Sequence, residues 1–286
     1  MHRVLKYPGS KWNIVLKLKK LIPKHHSYIE PYFGSGALFF TKEPSNIETI
    51  NDLDSDVTNL FSCIQEDSGR LAGMLLTTPY SREVYDRQYE PDAPHKKSRD
   101  NFIRAADFLV RCWQGYTPRT NDRAGWKNDI AGREKMYALW EWYNLPGWVV
   151  EIAERLRRVQ IENRPALELI RQFNRAGVFM YIDPPYLFSV RDRKQYKHEM
   201  AEADHETLLC TLIKSNADIM ISGYESDLYN DYLAGWNKEY FKSCSNGGRQ
   251  RKEVVWMNYN LDGQMDFSDF PELLPKRGDK RIDNDE

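Results

Sequence analysis

The chain has little cysteine and scatters what it has. Cys63, Cys112, Cys210 and Cys244 stand far apart with no C-x-x-C pair among them, so neither a disulfide framework nor a zinc site is indicated. No apolar run approaches the roughly 20 residues that cross a bilayer. The opening "MHRVLKYPGSKW" lacks the apolar centre of a secretion signal. Internal repeats and low-complexity stretches are also missing. Net charge is almost absent, at −1 over 286 residues. The expectation from these lacks is a reduced, cytoplasmic, metal-free globular protein with no membrane partner, long enough to bury a large core.

The near-zero total hides an uneven distribution. Residues 96–135 carry ten Lys or Arg against five Asp or Glu, whereas residues 262–286 carry eight acids against four bases. One basic face of this kind is the footprint that nucleic acid asks for. A solvated surface of mixed sign accounts for the same counts.

Apolar periodicity outlines the organisation. "HSYIEPYFGSG" (26–36) reads as a strand ending at a glycine turn, with a helix starting in "GALFFTK". "IETINDLD" is a second strand, ending in acids, and "SDVTNLFSCIQ" a helix with Ser55 as N-cap. From about residue 69 the alternation stops. Phe102, Ala106, Leu109 and Trp113 recur at helical spacing. "CWQGYTPRTNDRAGWKNDIAGRE" then reads as a long loop or hairpin, followed by helices over about 133–143 and 148–158. Strand and helix alternate again from "RVQIEN" to "SDLYNDYLA", and "KEYFKS" and "KEVVWMNYN" close the pattern as two strands. The predicted fold is α/β: a mostly parallel sheet with helices on both faces, a closing antiparallel strand pair and a mainly helical insert. The expected division is 1–68 and 159–267 as one domain in two parts, 69–158 as insert, and 268–286 as a disordered polar tail.

Three stretches carry chemistry. In "EPYFGSGALFF", Gly34 and Gly36 stand between strand and helix, where missing side chains let a backbone approach a ligand. The third glycine of a dinucleotide fingerprint is absent, and a plain turn explains the pair equally. Glu30 is awkward beside a pyrophosphate but suits a cationic or hydroxyl-bearing ligand; Phe33 is a further candidate contact. Asp52, 16 residues beyond Gly36, stands near where an acid accepts hydrogen bonds from ribose hydroxyls in nucleotide-binding α/β folds. Together they favour an adenosine-containing cofactor without phosphates. The third stretch, "VFMYIDPPYLF", ends an apolar strand in Asp183, Pro184, Pro185 and Tyr186. A strand-ending turn accounts for the tetrapeptide taken alone; the chemistry that would need such a set is attack by an exocyclic amine on an electrophilic methyl group. The Asp183 carboxylate and the Pro184 carbonyl accept the amine's N–H bonds and stabilise its developing positive charge. The locked φ angles of the prolines fix the carbonyl. Tyr186 stacks on a base swung out of its duplex.

"LKYPGSKW", "EPYFGSGALFF", "NDLDSD", "YIDPPY" and "EVVWMNY" together resemble the Dam-type family (D12 class, α arrangement) of DNA adenine N6-methyltransferases. The resemblance covers residues 4–62 and about 159–260. It implies the class I methyltransferase fold, S-adenosyl-L-methionine as methyl donor, double-stranded DNA as substrate, and a bacterial or phage-infected cell. By it, Tyr7 and Lys11 line the cofactor site together with Asp52, and Asp183 faces both cofactor and target amine. The family usually has Trp at the position of Tyr7 and often Gly-Gly at Gly9-Ser10. A cognate restriction endonuclease is a possible partner, and a monomer or weak dimer is expected. The insert then carries target recognition, with Arg111, Gln114, Tyr116, Arg119, Asn121, Arg123, Trp126, Lys127 and Asn128 as candidates for reading bases or contacting phosphates. Arg249, Arg251 and Lys252 form a second basic cluster, and "RDRKQYKHEM" reads as a loop that could close over the flipped base. His205 is expected to cap or pack its helix. Two alternatives stay open: methylation of another exocyclic amine, in RNA or at cytosine N4, and a catalytically silent DNA-binding relative.

Overall fold

Strands and helices alternate as the apolar pattern requires, in a computed structural model that describes residues 1–117, 122–128, 137–190, 194–244 and 250–261. α1 (Val15–Lys19) is followed by β1 (Ser27–Glu30), α2 (Ala37–Thr41), β2 (Ile47–Asn51) and α3 (Ser55–Leu76). Four helices come next: α4 (Arg82–Arg87), α5 (Pro94–Lys97), α6 (Asn101–Gln114) and α7 (Tyr137–Leu156). The chain then forms β3 (Val159–Glu162), α8 (Ala166–Gln172), β4 (Val178–Ile182), α9 (Glu202–Leu212), β5 (Asp218–Tyr224) and α10 (Asp227–Tyr232). β6 (Asn237–Cys244) and β7 (Gln250–Met257) close it.

The sheet order is β3-β2-β1-β4-β5-β7-β6. Neighbours from β3 to β5 pair in parallel, and β7 runs antiparallel to both β5 and β6. This is the expected mostly parallel sheet with its closing antiparallel pair, the plan of a class I methyltransferase fold. β1 lies between β2 and β4, so successive crossovers leave it on opposite sides. A crevice opens there at the strands' carboxyl ends, where open α/β sheets bind ligands.

β4 shows why its sequence is apolar throughout. Phe179 and Tyr181 pack into a core with Phe33, Phe39, Phe61 and Trp113. Val178, Met180 and Ile182 face the other way, onto Leu208, Leu209 and Leu212 of α9 and Ile170 of α8. A strand covered on both faces has no polar side to alternate with. Each large side chain so buried contributes about 1.5–3 kcal/mol, which anchors the residues at the strand's end.

Two expectations, the N-cap of α3 and the helices over 133–158, need correction. The N-cap of α3 is Asp54, not Ser55: the Asp54 side chain accepts from Asp56 N, while Ser55 Oγ accepts from Arg104. The backbone of α3 leaves the helical conformation at Asp67 (φ −153°, ψ 83°), so two helical stretches meet there, beside the expected edge at 68/69. The two helices expected over 133–158 are one, α7, which passes through Pro146. Burial of Trp142 and Leu145 before it and Val149 and Ile152 after it offsets the roughly 3 kcal/mol an interior proline costs. Insert helices also pack directly on the rest of the domain. Leu145, Val149 and Leu156 of α7 share one apolar cluster with Leu60 and Phe61 of α3, and Arg155 pairs with Glu48 of β2. The expected loop at 112–134 is a hairpin at its neck, with Tyr116 N donating to Gly125 O and Lys127 N to Gln114 O. Arg119, Asn121, Arg249, the side chain of Arg251 and the tail 268–286 lie outside the described residues.

Candidate active site

A pocket opens at the crevice between β1 and β4, the place where open α/β sheets bind ligands. Tyr7 and Lys11 reach it from the N-terminal segment. Glu30 comes from the end of β1, Phe33 and Gly34 from the turn that follows, Asp52 from the end of β2, and Asp183 and Pro185 from the end of β4. Of the predicted cofactor contacts, Gly36 alone does not line it. Gly36 instead starts α2 at φ +62°, where a Cβ would lie 2.3 Å from the Phe33 ring, so only glycine lets that ring pack beneath the turn.

Asp52 holds the turn in shape. Its Oδ2 accepts from Gly34 N at 2.8 Å and its Oδ1 from Asp54 N at 2.8 Å. The Tyr7 hydroxyl donates to Asp54 at 3.3 Å. Glu30 is almost fully buried and accepts from the Tyr28 hydroxyl. Lys11 Nζ lies 2.8 Å from Asp183 Oδ2, 3.2 Å from Glu253 Oε1 and 2.6 Å from Gly9 O. The other oxygen of Asp183, Oδ1, is buried and has no hydrogen-bond partner among the described residues. A buried carboxylate oxygen left unpaired is costly.

Tyr186 does not line the pocket. It is 9% exposed, its ring stands edge-on to Tyr224 at 4.8 Å, and its hydroxyl donates to Glu253.

Burial dominates the electrostatics. It pushes Asp183 up to about 6, with Lys11 opposing and Glu253 adding to the rise. It pushes Asp52 up to about 7 against the Gly34 and Asp54 N–H groups, and Glu30 up to about 8 against its hydrogen bonds from Tyr28 and Phe39. For Lys11, burial pulls downward, but Asp183 and Glu253 together hold the ammonium well above its ordinary value. A raised carboxyl pKa stabilises the native state fully below the unfolded value near 4, and that stability is lost as pH rises through the folded values, here about 6 to 8. Thermal melts of the ligand-free protein should therefore fall between about pH 5 and pH 8, and Glu30→Gln should flatten the slope. Parallel slopes for the two proteins would contradict the assignment.

The lining also tells which ligand fits. Three acids held above their ordinary pKa favour a ligand that brings positive charge and hydroxyl donors. Tyr32, Phe33, Leu38 and Met200 supply apolar walls. Among the described residues, Lys11 is the only Lys or Arg that lines the pocket, and its ammonium is ion-paired with two carboxylates.

Several lining residues escaped sequence reasoning. Tyr196, His198 and Met200 come from the loop expected over the flipped base. That loop covers this pocket: Tyr196 packs near Tyr7, with ring centroids 6.2 Å apart, and its hydroxyl fills the space a Cβ on Gly9 would need. Residues 191–193 of the loop lie outside the described residues. Glu253 was also missed, although an acid inside "EVVWM" was a usable signal. His205 packs as expected, buried with Nδ1 2.9 Å from the Tyr229 hydroxyl.

The insert candidates divide. Gln114 is fully buried, its amide donating to Pro79 O and accepting from Ser81 N, so it does not reach DNA as it stands. Arg111 is turned inward to Asp56 at 3.2 Å. Trp126 sits between Tyr80, at 5.4 Å, and the Arg82 guanidinium, at 4.8 Å. All three find these partners 30 to 60 residues away in sequence. Tyr116, Arg123 and Asn128 are exposed and Lys127 is half-buried, all beside the hairpin neck. Arg123 also pairs with Asp86.

Comparison with known proteins bears on the same residues. A family model described as D12 class N6 adenine-specific DNA methyltransferase matches residues 7–258, a span holding nearly every group named above. The type II methyltransferase M.MjaIII of Methanocaldococcus jannaschii is 26% identical over 290 residues, covering 89% of this chain and 98% of its own. The DNA adenine methylase of Escherichia coli K12 is 25% identical, covering 87% of this chain and 91% of its own. The type II methyltransferase M1.LlaDCHI of Lactococcus lactis is 23% identical, covering 89% and 94%. No helix among the described residues is long and apolar enough to cross a membrane.

Proposed function

This chain belongs to the D12 class N6 adenine-specific DNA methyltransferase family, and from that premise we propose how its residues divide the work. The reaction is transfer of a methyl group to the N6 amine of adenine in DNA. The pocket at β1 and β4 is the donor site, and S-adenosylmethionine is the donor that its lining suits. Bound there, S-adenosylmethionine supplies an electrophilic methyl group.

Asp52 accepts from ribose hydroxyls, as carboxylates do from vicinal diols. Glu30 and Asp183 favour the donor's positive charge, while Tyr7, Phe33 and Leu53 give apolar walls. Asp183 Oδ1 takes one N–H bond of the adenine amine and the Pro184 carbonyl takes the other. That pairing draws the nitrogen lone pair out of the ring and stabilises the charge that develops on nitrogen. With a pKa near 6, Asp183 is also suited to hold the proton the amine gives up. Because Asp183 lies in a concave site with its side chain only 17% exposed, an adenine stacked in a duplex cannot reach it, so the base leaves the stack. Tyr186, held rigidly by Tyr224 and Glu253, serves as the stacking platform. Residues 69–158 recognise the target, led by Tyr116, Arg123, Lys127 and Asn128 on the exposed hairpin.

One observation carries this reading: a buried, unpaired carboxylate oxygen beside the donor pocket, in a chain of this family. Expression in a methylation-free bacterial host, followed by long-read mapping of modified bases, tests it. N6-methyladenine at one enriched sequence motif is expected. Unmodified adenine with N4-methylcytosine in its place would overturn it.

A further inference from the structure

Behind Asp183 lies a polar cluster that the proposed mechanism uses only at its front. The Lys11 ammonium is ion-paired with Asp183 Oδ2 at 2.8 Å and Glu253 Oε1 at 3.2 Å, and it donates a hydrogen bond to Gly9 O at 2.6 Å. The Tyr186 hydroxyl donates to the same Glu253 oxygen, and the Lys11 ammonium lies 4.8 Å from the centre of the Tyr186 ring. Among the described residues, Glu253 thus joins the N-terminal lysine to the tyrosine that follows Asp183 and its two prolines.

Glu253 comes from β7, far from both in sequence. It pairs across the sheet with Tyr224 of β5 and Phe241 of β6, is followed by Val254, Val255 and Trp256, and is only 5% exposed. A carboxylate in such a place costs free energy that an apolar residue of similar volume would not. Packing alone gives no reason for it.

We propose that Glu253 is a positioning residue for methyl transfer: by bonding Lys11 and Tyr186 at once, it holds Asp183 with Oδ2 capped and Oδ1 left open for the adenine amine. The proposal rests on the reading of Asp183 as the amine's acceptor. Without the Glu253 carboxylate, Lys11 loses one of its two anionic anchors and Tyr186 loses the acceptor for its hydroxyl. Asp183 would then sit against a looser support, and small displacements of a reacting group carry large rate penalties.

The cluster also sets the charge that Asp183 feels. The groups facing it are Lys11 from the N-terminal segment, Glu253 from β7, Glu30 from β1, Tyr229 from α10, Tyr181 from β4 and Tyr186 from its own loop. Burial is the main cause of its raised pKa, Lys11 opposes, and the Glu253 charge adds to the rise. Neutralising Glu253 therefore lowers the Asp183 pKa, an effect that a purely structural residue does not have.

The test uses the full chain, without ligands, labelled with carboxyl-¹³C aspartate. The Asp183 resonance is identified by its loss in Asp183→Asn. In the wild type it should titrate at about 6; in Glu253→Gln the midpoint should fall, by on the order of one pH unit. The acid limb of the kcat–pH profile should move the same way. A folded Glu253→Gln protein with midpoint and limb unmoved would overturn the proposal. Should that variant yield no folded protein, Glu253→Leu, which removes the carboxylate and leaves an apolar side chain of similar volume in its place, carries the test with the same sign. The Asp183 midpoint should again fall, because the Glu253 charge that adds to its rise is gone; a midpoint that stays in place would overturn the proposal equally. Activity retained in Asp183→Asn would instead sink the acceptor reading. An inactive Asp183→Asn beside an unmoved Glu253→Gln would sink this proposal alone.

Discussion

Asp183→Asn should reduce methyl transfer by about 10³-fold or more while the protein stays folded. The substitution keeps the volume and replaces an anionic acceptor with a neutral amide. Two losses follow. The amide no longer stabilises positive charge on the attacking nitrogen, and it cannot take up the proton that nitrogen releases. If its NH₂ group turns toward the pocket, donor also meets donor. Stability should change little, because the wild-type carboxylate is itself costly: burial has pushed its pKa to about 6, and Lys11 keeps Glu253 and Gly9 O as partners. Single-turnover transfer from labelled donor to a DNA substrate, read beside a thermal melt, checks both halves. A variant with near-normal turnover would show that the amine is activated elsewhere.

Lys11→Ala should have the larger effect on stability. It removes the cation from between Asp183 and Glu253, both of which lie within 3.2 Å of it. Breaking a buried ion pair from one side costs about 3–5 kcal/mol, because the remaining charge is left uncompensated. Here two like charges remain, and they also repel. The loss should depend on pH in a defined direction. Without the ammonium that opposes burial, the Asp183 pKa rises further, so stability is present at low pH and lost as pH rises through that value. Denaturant melts should show a deep deficit at pH 8 that narrows at about pH 5.5. Methyl transfer should also fall, by about 10²-fold or more, since Asp183 loses the group that caps Oδ2. A deficit of equal size at both pH values would argue that Lys11 merely fills space.

Much of the fold was legible because its signals are local. The unbroken apolar run of β4 reads as a strand buried on both faces, and the structure buries it on both. Glycines between strand and helix, acids at strand ends and the antiparallel closing pair are likewise written within a few residues. What misled was long-range. Arg111 and Gln114 stand on a basic, polar stretch and read as DNA contacts, yet Asp56 and Pro79 capture them inside the protein. Pro146 reads as a break, yet packing on both sides of it carries α7 through. The candidate site divides the same way. Tyr7, Lys11, Glu30, Asp52 and Asp183 were legible as candidates, and the structure brings them to one pocket, because each stands in a recognisable stretch. Glu253 was not, because only the folded chain brings Lys11 and Tyr186 to it.

The most direct test of the central reading is the distance between Asp183 Oδ1 and the target N6 in a complex with DNA and a donor analogue. We expect the base outside its stack, with N6 about 2.7–3.2 Å from Asp183 Oδ1 and similarly close to the Pro184 carbonyl. An adenine bound in the site with its amine turned away from Asp183, and that oxygen paired to a protein group, would contradict it.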